Sequence, residues 1–145
     1  MVTSQTSLIN FFFETKATLT NRLALKAFLR TLCRKEGYTI NTINFIFCSD
    51  EQLLEINRSF LKHDYYTDII TFGHSGANEP IESDIYISID RVTENALTHR
   101  EAKYKELHRV IFHGVLHLCG YKDKTKAAKS VMRTKEDYYL DRYFK

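Results

Sequence analysis

Apolar positions come in short runs whose period changes along the chain. Ile9 to Phe13 is a brief, mostly apolar run rich in β-formers, which predicts a strand. Thr20 or Asn21 then offers a cap for a helix carrying Leu23, Leu25, Ala27, Phe28 and Leu32, with Gly37 as its stop. Thr39 to Cys48 ends in alternation through Ile43, Phe45 and Phe47 and reads as a second strand. Ser49-Asp50 caps a helix through about Phe60, with Leu53, Leu54 and Ile56 on its inner face.

Ile69 to Phe72 has the unbroken apolar character of a buried strand. Gly73 to Pro80 is the one clear loop, and Asp84 to Ser88 is a fourth strand. Three helices follow: Asp90 to about His99, Lys103 to Cys119 with Gly120 as its stop, and Thr125 to about Tyr143. Strands that interleave with helices ahead of an all-helical tail predict one α+β domain over residues 1–145, with a mixed sheet.

Length and composition fit this reading. The chain has 145 residues, enough for a core without staples, and 43% of them are hydrophobic. No run approaches the 18 or so apolar residues of a membrane span. Met1 to Gln5 lacks the basic and apolar regions of a signal peptide. Cys33, Cys48 and Cys119 form no CxxC pair, which suits reduced thiols and a cytoplasmic location.

Charge adds one feature. The net charge is +3, yet Lys122, Lys124, Lys126, Lys129, Arg133 and Lys135 stand against Asp123 alone in that stretch. Such a cluster is either a solvated helix face or a surface that meets phosphates.

The chemistry concentrates in the helix that stops at Gly120. Val110 to Cys119 is apolar all round, so this helix should be buried on most sides. His113 and His117 interrupt it four residues apart, on one stripe. Two imidazoles so placed can present nitrogens to one point, as in a helical zinc site. Equally, they can be two core histidines, each satisfied by a carbonyl. Gly114 between them costs about 1 kcal/mol relative to Ala, which implies a close approach at that position.

Gly120 can turn the chain back and bring Asp123 within reach. His113, His117 and Asp123 would then offer two nitrogens and a carboxylate to one Zn²⁺ per chain, leaving a fourth position for water. Three protein ligands plus water is the catalytic pattern. Cys119 lies on the opposite side of the helix and reads as core. A metalloprotease helix would carry Glu where Gly114 stands, so that reading lacks its base.

His113-Gly114-Val115-Leu116-His117-Leu118-Cys119-Gly120-Tyr121-Lys122-Asp123 resembles the signature H-G-x-L-H-L-x-G-Y-D-H of the YbeY family of endoribonucleases, the rRNA maturation factors. Thr67 to Phe72 looks like the family's T-D-V-L-S-F strand, and Asp84 to Ser88 like its G-D-I-x-I-S strand. The family's third ligand is a His where this chain has Asp123. Its functional Arg corresponds to Leu61, so Arg58 or Lys62 is left as a candidate phosphate contact.

The resemblance implies a zincin-like fold, with a four-stranded mixed sheet packed on the histidine helix and flanking helices. It also implies a metal-dependent endoribonuclease specific for single strands, acting on rRNA at the ribosome in maturation and quality control, with no membrane partner. Bound metal would polarise a phosphoryl oxygen, activate water, or both. Tyr65, Tyr66 and Tyr121 are candidates for stacking bases, or for packing. By bland logic Asp68 is a turn residue before its strand. Two rival functions remain at this level: a ribosome-associated RNA-binding factor with a structural metal, and a metal hydrolase of a substrate other than nucleic acid.

Overall fold

A computed structural model describes residues 7–145; the reading of Met1 to Gln5 lies outside the described residues. The elements run β1 (Leu8–Phe13), α1 (Arg22–Lys35), β2 (Ile40–Cys48), α2 (Asp50–Leu61), β3 (Ile69–Gly73), β4 (Ile81–Ser88), α3 (Ile89–His99), α4 (Lys103–Leu118) and α5 (Lys126–Tyr143). The four strands form one sheet in the order β1-β2-β4-β3. β1 and β4 both run parallel to β2, whereas β3 and β4 are an antiparallel hairpin. This is the mixed α+β sheet that the chain pattern predicts.

Local chemistry explains most boundaries. Ser49 and Gln52 form a reciprocal capping box at the start of α2. Thr125 accepts from the Ala128 N–H at the start of α5. Some details differ from the sequence reading. β4 begins at Ile81 rather than Asp84, because Ile81, Ser83, Ile85 and Ile87 all point into the core. The Ser83 hydroxyl is tolerated there because it donates to the Phe72 carbonyl at 2.7 Å. Asn21 does precede α1, but in a left-handed conformation and without a side-chain cap.

One face of the sheet carries Ile43, Phe45, Phe47, Ile85 and Ile87, all fully buried. Against it packs α4, whose Ile111, Phe112, Val115 and Leu116 are also inaccessible. α1, α3 and α5 surround α4, so it is the central helix of the fold, buried on most sides as its apolar run predicts. Gly114 sits where α4 meets the sheet. A methyl group there would lie 2.8 Å from the Ile69 terminal methyl and 3.3 Å from Ile85 Cγ2. The close approach inferred from the glycine is therefore an approach of helix to strand.

Cys119 caps α4 and is buried beside Cys33, whose thiol accordingly ionises far less readily than a free cysteine. All three cysteines are free and buried. α2 covers the other face of the sheet with a smaller core of Cys48, Leu53 and Ile70. Among the described residues, no helix is long and apolar enough to cross a membrane.

Candidate metal centre

His113 and His117 sit in the last two turns of α4, on a stripe that the core leaves half-buried. Their rings stack with centroids 5.9 Å apart and planes 19° from parallel. Gly120, at φ 96°, reverses the chain just beyond the helix. The return brings Asp123 back to His113, and its Oδ2 lies 3.2 Å from His113 Nε2. With Thr67, Asp68, Ile69 and Thr71 the three residues line a cleft of about 350 Å³.

The remaining ring nitrogens are already engaged. His113 Nδ1 donates to Glu136 Oε2 at 2.7 Å, and His117 Nδ1 donates to the Tyr121 carbonyl at 2.8 Å. A carboxylate and a carbonyl can only accept, so each Nδ1 carries a proton, and in the neutral rings the lone pairs lie on Nε2. Metal-ligating histidines are commonly oriented in this way, by a carboxylate or a backbone carbonyl behind the ring.

Glu136 is itself held by Arg109 Nη1 at 3.1 Å, and Arg109 reaches Asp137 at 2.8 Å. Burial disfavours a charged His113, but Glu136, Asp123 and Asp68 outweigh it and raise its pKa above the ordinary 6.5.

These residues suit a metal ion by their donor chemistry. A bare Nε2 lone pair facing a carboxylate oxygen is repulsive unless a proton or a cation lies between them. Two ligands of one tetrahedral zinc stand about 3.4 Å apart, given bonds of about 2.0–2.2 Å. The His113–Asp123 separation of 3.2 Å is close to that edge. The described residues hold no ready-made cage of three or more His, Cys, Asp or Glu side chains, so the set is a pair with His117 one turn further on.

Several residues outside the sequence reading belong to this site. Asp68 lines the cleft rather than serving only as a turn residue. Burial pushes its carboxyl pKa up, and Asn95 Nδ2 lies 3.4 Å from its Oδ2. Glu136 and Arg109 carry no local motif; a helix brings each of them in, and only the packing of α4 on α5 shows the role. A wider groove of about 800 Å³ adjoins His117, bounded by Glu36 to Thr39 and by the β3–β4 loop.

Other candidates lie elsewhere. Arg58 is exposed near the end of α2 and pairs with Asp64 at 2.5 Å, while Lys62 is the exposed cap of that helix. Neither is among the residues that line the cleft. Tyr65 and Tyr66 are exposed on the α2–β3 connection, Tyr65 stacked on His63 and Tyr66 under the Arg91 guanidinium. Tyr121 is partly buried and donates to Glu36 at 2.6 Å, so it packs.

In the basic stretch, Lys122, Lys124, Lys126, Lys129 and Arg133 are exposed. Lys135 is instead tied to Glu36 at 3.2 Å and lies over the rings of Tyr121 and Tyr138.

Comparison with known proteins bears on the chain as a whole. The family model described as Endoribonuclease YbeY matches residues 8–144. A Cytophaga hutchinsonii protein named Endoribonuclease YbeY is 54% identical over 132 residues, covering 90% of this chain and 92% of the relative. A Karelsulcia muelleri protein of the same name is 44% identical, covering 92% and 94%. The solution structure of TM1509 from Thermotoga maritima superposes with a TM-score of 0.65 at 26% identity, covering 94% of this chain and 89% of that one. By sequence over nearly its whole length and by fold, this chain belongs to the YbeY family.

Proposed function

We propose that this chain is a zinc-dependent, single-strand-specific endoribonuclease of rRNA maturation and ribosome quality control. One observation carries the metal reading: both Nδ1 protons are tied to acceptors behind the rings, which leaves the Nε2 lone pairs for a cation beside Asp123. The relatives' name, Endoribonuclease YbeY, supports RNA as the substrate. The exposed cations at the start of α5, beside Asp123, support a phosphate backbone as what lies across the cleft.

In this reading His113, His117 and Asp123 hold one Zn²⁺, which when bound supplies a Lewis acid to a phosphoryl oxygen and lowers the pKa of water. The chain's own groups do the rest. Glu136 and the Tyr121 carbonyl fix the two imidazoles, and Arg109 holds Glu136 in place. Asp68 stands in the cleft wall as the carboxyl group that can give or take a proton at a substrate oxygen. Lys124, Lys126, Lys129 and Arg133 attract and orient the backbone. Partners on this reading are single-stranded RNA, rRNA and the ribosome, and the location is the cytoplasm.

The test is cleavage of single-stranded against duplex RNA, with and without chelator, beside a His117→Ala control. Cutting confined to single strands, lost with chelator and in the variant, is the expected result. Cutting that survives both treatments would overturn the metal reading.

A further inference from the structure

A second set of cations gathers on another side of α5. Lys135, Tyr138 and Arg142 share one face of that helix, about half a turn from the face that carries Lys129 and Arg133. The Arg142 guanidinium carbon lies 3.6 Å from the Tyr138 ring centroid, and the Lys35 and Lys135 ammonium groups stand 4.8 and 5.9 Å from it. Lys35, at the end of α1, also donates to the Tyr138 hydroxyl. That hydrogen bond, with the charges of Arg142, Lys35 and Lys135, holds the phenol pKa below the ordinary 10.

Of the three cations only Lys135 has a carboxylate partner among the described residues, Glu36 at 3.2 Å. Lys35 and Arg142 are exposed. Asp137 and Asp141, on the same helix, line a different hollow with Lys105 and Arg109. Like charges this close repel, since screening at physiological salt acts over about 8 Å, and the ring face offsets only part of the repulsion. A bound anion would offset the rest. A guanidinium braced on an aromatic ring has little freedom left to lose when its N–H edge meets a phosphate.

The cluster adjoins the groove of about 800 Å³ that starts at His117. Glu36 joins the two, because it lines the groove and holds Lys135. Both carboxylates of the groove are already engaged, Glu36 by Tyr121, Tyr139 and Lys135, and Glu79 by the Gly76 N–H. Tyr38 lines the groove with an exposed ring, as a base-stacking platform requires.

We propose that Lys35, Lys135 and Arg142 form a second contact for an RNA strand, holding the backbone of nucleotides that flank the one at the histidines. The proposal rests on the nuclease reading for its partner. Continuity with the cleft through the groove favours a nucleic-acid strand over an acidic protein. The strand crosses His117, passes Tyr38 and reaches the cations.

The test is a binding titration of the full chain with single-stranded 2′-O-methyl RNA of about four and about twelve nucleotides, lengths that bracket a short and a long site. Each strand is checked as intact on a gel, and the titrations are repeated over a range of salt. Unmodified RNA is assayed beside them for cutting. The parent should bind the long strand at least about tenfold tighter than the short one. Lys35→Gln/Arg142→Gln keeps both stems on the ring and removes two charges. It should lose most of the length advantage and bind the short strand like the parent. The slope of its log affinity against log salt on the long strand should shrink by about 1.4, which is about 0.7 for each lost phosphate contact.

Equal affinity for the two lengths in the parent overturns the proposal even if the variant fails to fold. So does a folded variant that keeps the length advantage and the salt slope. Polyglutamate that binds the parent more tightly than the long strand does would make the cluster a protein-docking face and also overturn it. Unmodified RNA that is cut, with no length advantage in binding, removes the second contact and leaves the nuclease reading standing. A length advantage in a chain that cuts no RNA removes the nuclease reading and leaves the contact.

Discussion

At the scale of single residues, Asp123 carries the sharpest consequence, since it stands where the family has a histidine. Its carboxylate faces His113 from a turn rather than from the core. Asp123→Ala should keep the fold and lower zinc affinity by at least about tenfold, whereas Asp123→His should retain zinc. Metal content after dialysis against graded chelator reads both. Glu136→Gln tests the group behind His113. Loss of such a supporting carboxylate should cost about 10–100-fold in metal affinity, with His113 itself untouched.

Glu36 shows a different use of a carboxylate. It accepts from Tyr121, Tyr139 and Lys135, and so ties the end of α1 to α5 and to the loop after α4. Burial alone would raise its pKa, but these donors together hold it below the ordinary 4.5. A depressed folded value means that its contribution is complete above about pH 4.5 and is lost as pH falls through the folded value. Glu36→Gln should therefore cost about 1 kcal/mol at neutral pH and flatten the acid limb of stability. Denaturant melts of the metal-free chain from neutral pH downward check both effects.

At the scale of elements, α4 makes two demands on one stretch of sequence. It must be apolar all round to be the central helix, and it must leave one stripe open for two imidazoles. Gly114 reconciles them by letting the helix sit close on β3 and β4 at the turn between the histidines. Gly114→Ala gains about 1 kcal/mol of helix propensity but forces Ile69 and the fully buried Ile85 to move. The net expected loss is about 1 kcal/mol, rising to about 3 for Gly114→Val, whose extra methyls have no free space. Thermal unfolding of the two variants measures this. A Gly114→Ala chain more stable than the parent would show that Ile69 gives way freely.

Across the whole molecule, the unevenness of charge matters more than its sum. Lys124, Lys126 and Lys129 are exposed just before and within the first turn of α5, next to the return that carries Asp123. Phosphate contacts release counterions, so binding to single-stranded RNA should weaken steeply as salt rises. Replacing the three lysines with Glu should weaken binding by at least about tenfold at low salt, flatten the salt dependence and leave the melting curve in place. Affinity that does not change would mark this stretch as a solvated face.

The sequence by itself determined what depends on near neighbours in the chain. The 3.6-residue period placed His113 above His117. Gly120 made the return to Asp123 readable, because a positive φ there is a local matter. The runs around Phe45, Ile70 and Ile85 announced strands because burial on a sheet face leaves an apolar signature.

Only the tertiary structure decided which distant groups complete the site. Glu136 lies 23 residues from the histidine it holds, and nothing near it in the chain marks it. Asp68 looked like a turn residue because a turn and a cleft wall favour the same side chain. Glu106 and Lys135 fit ordinary charged helix positions until packing buried one beside His99 with no hydrogen bond to its Oε1 and paired the other with Glu36. A hydrophobic pattern records how much of a face is covered, whereas the identity of a partner across a core leaves no trace in local sequence.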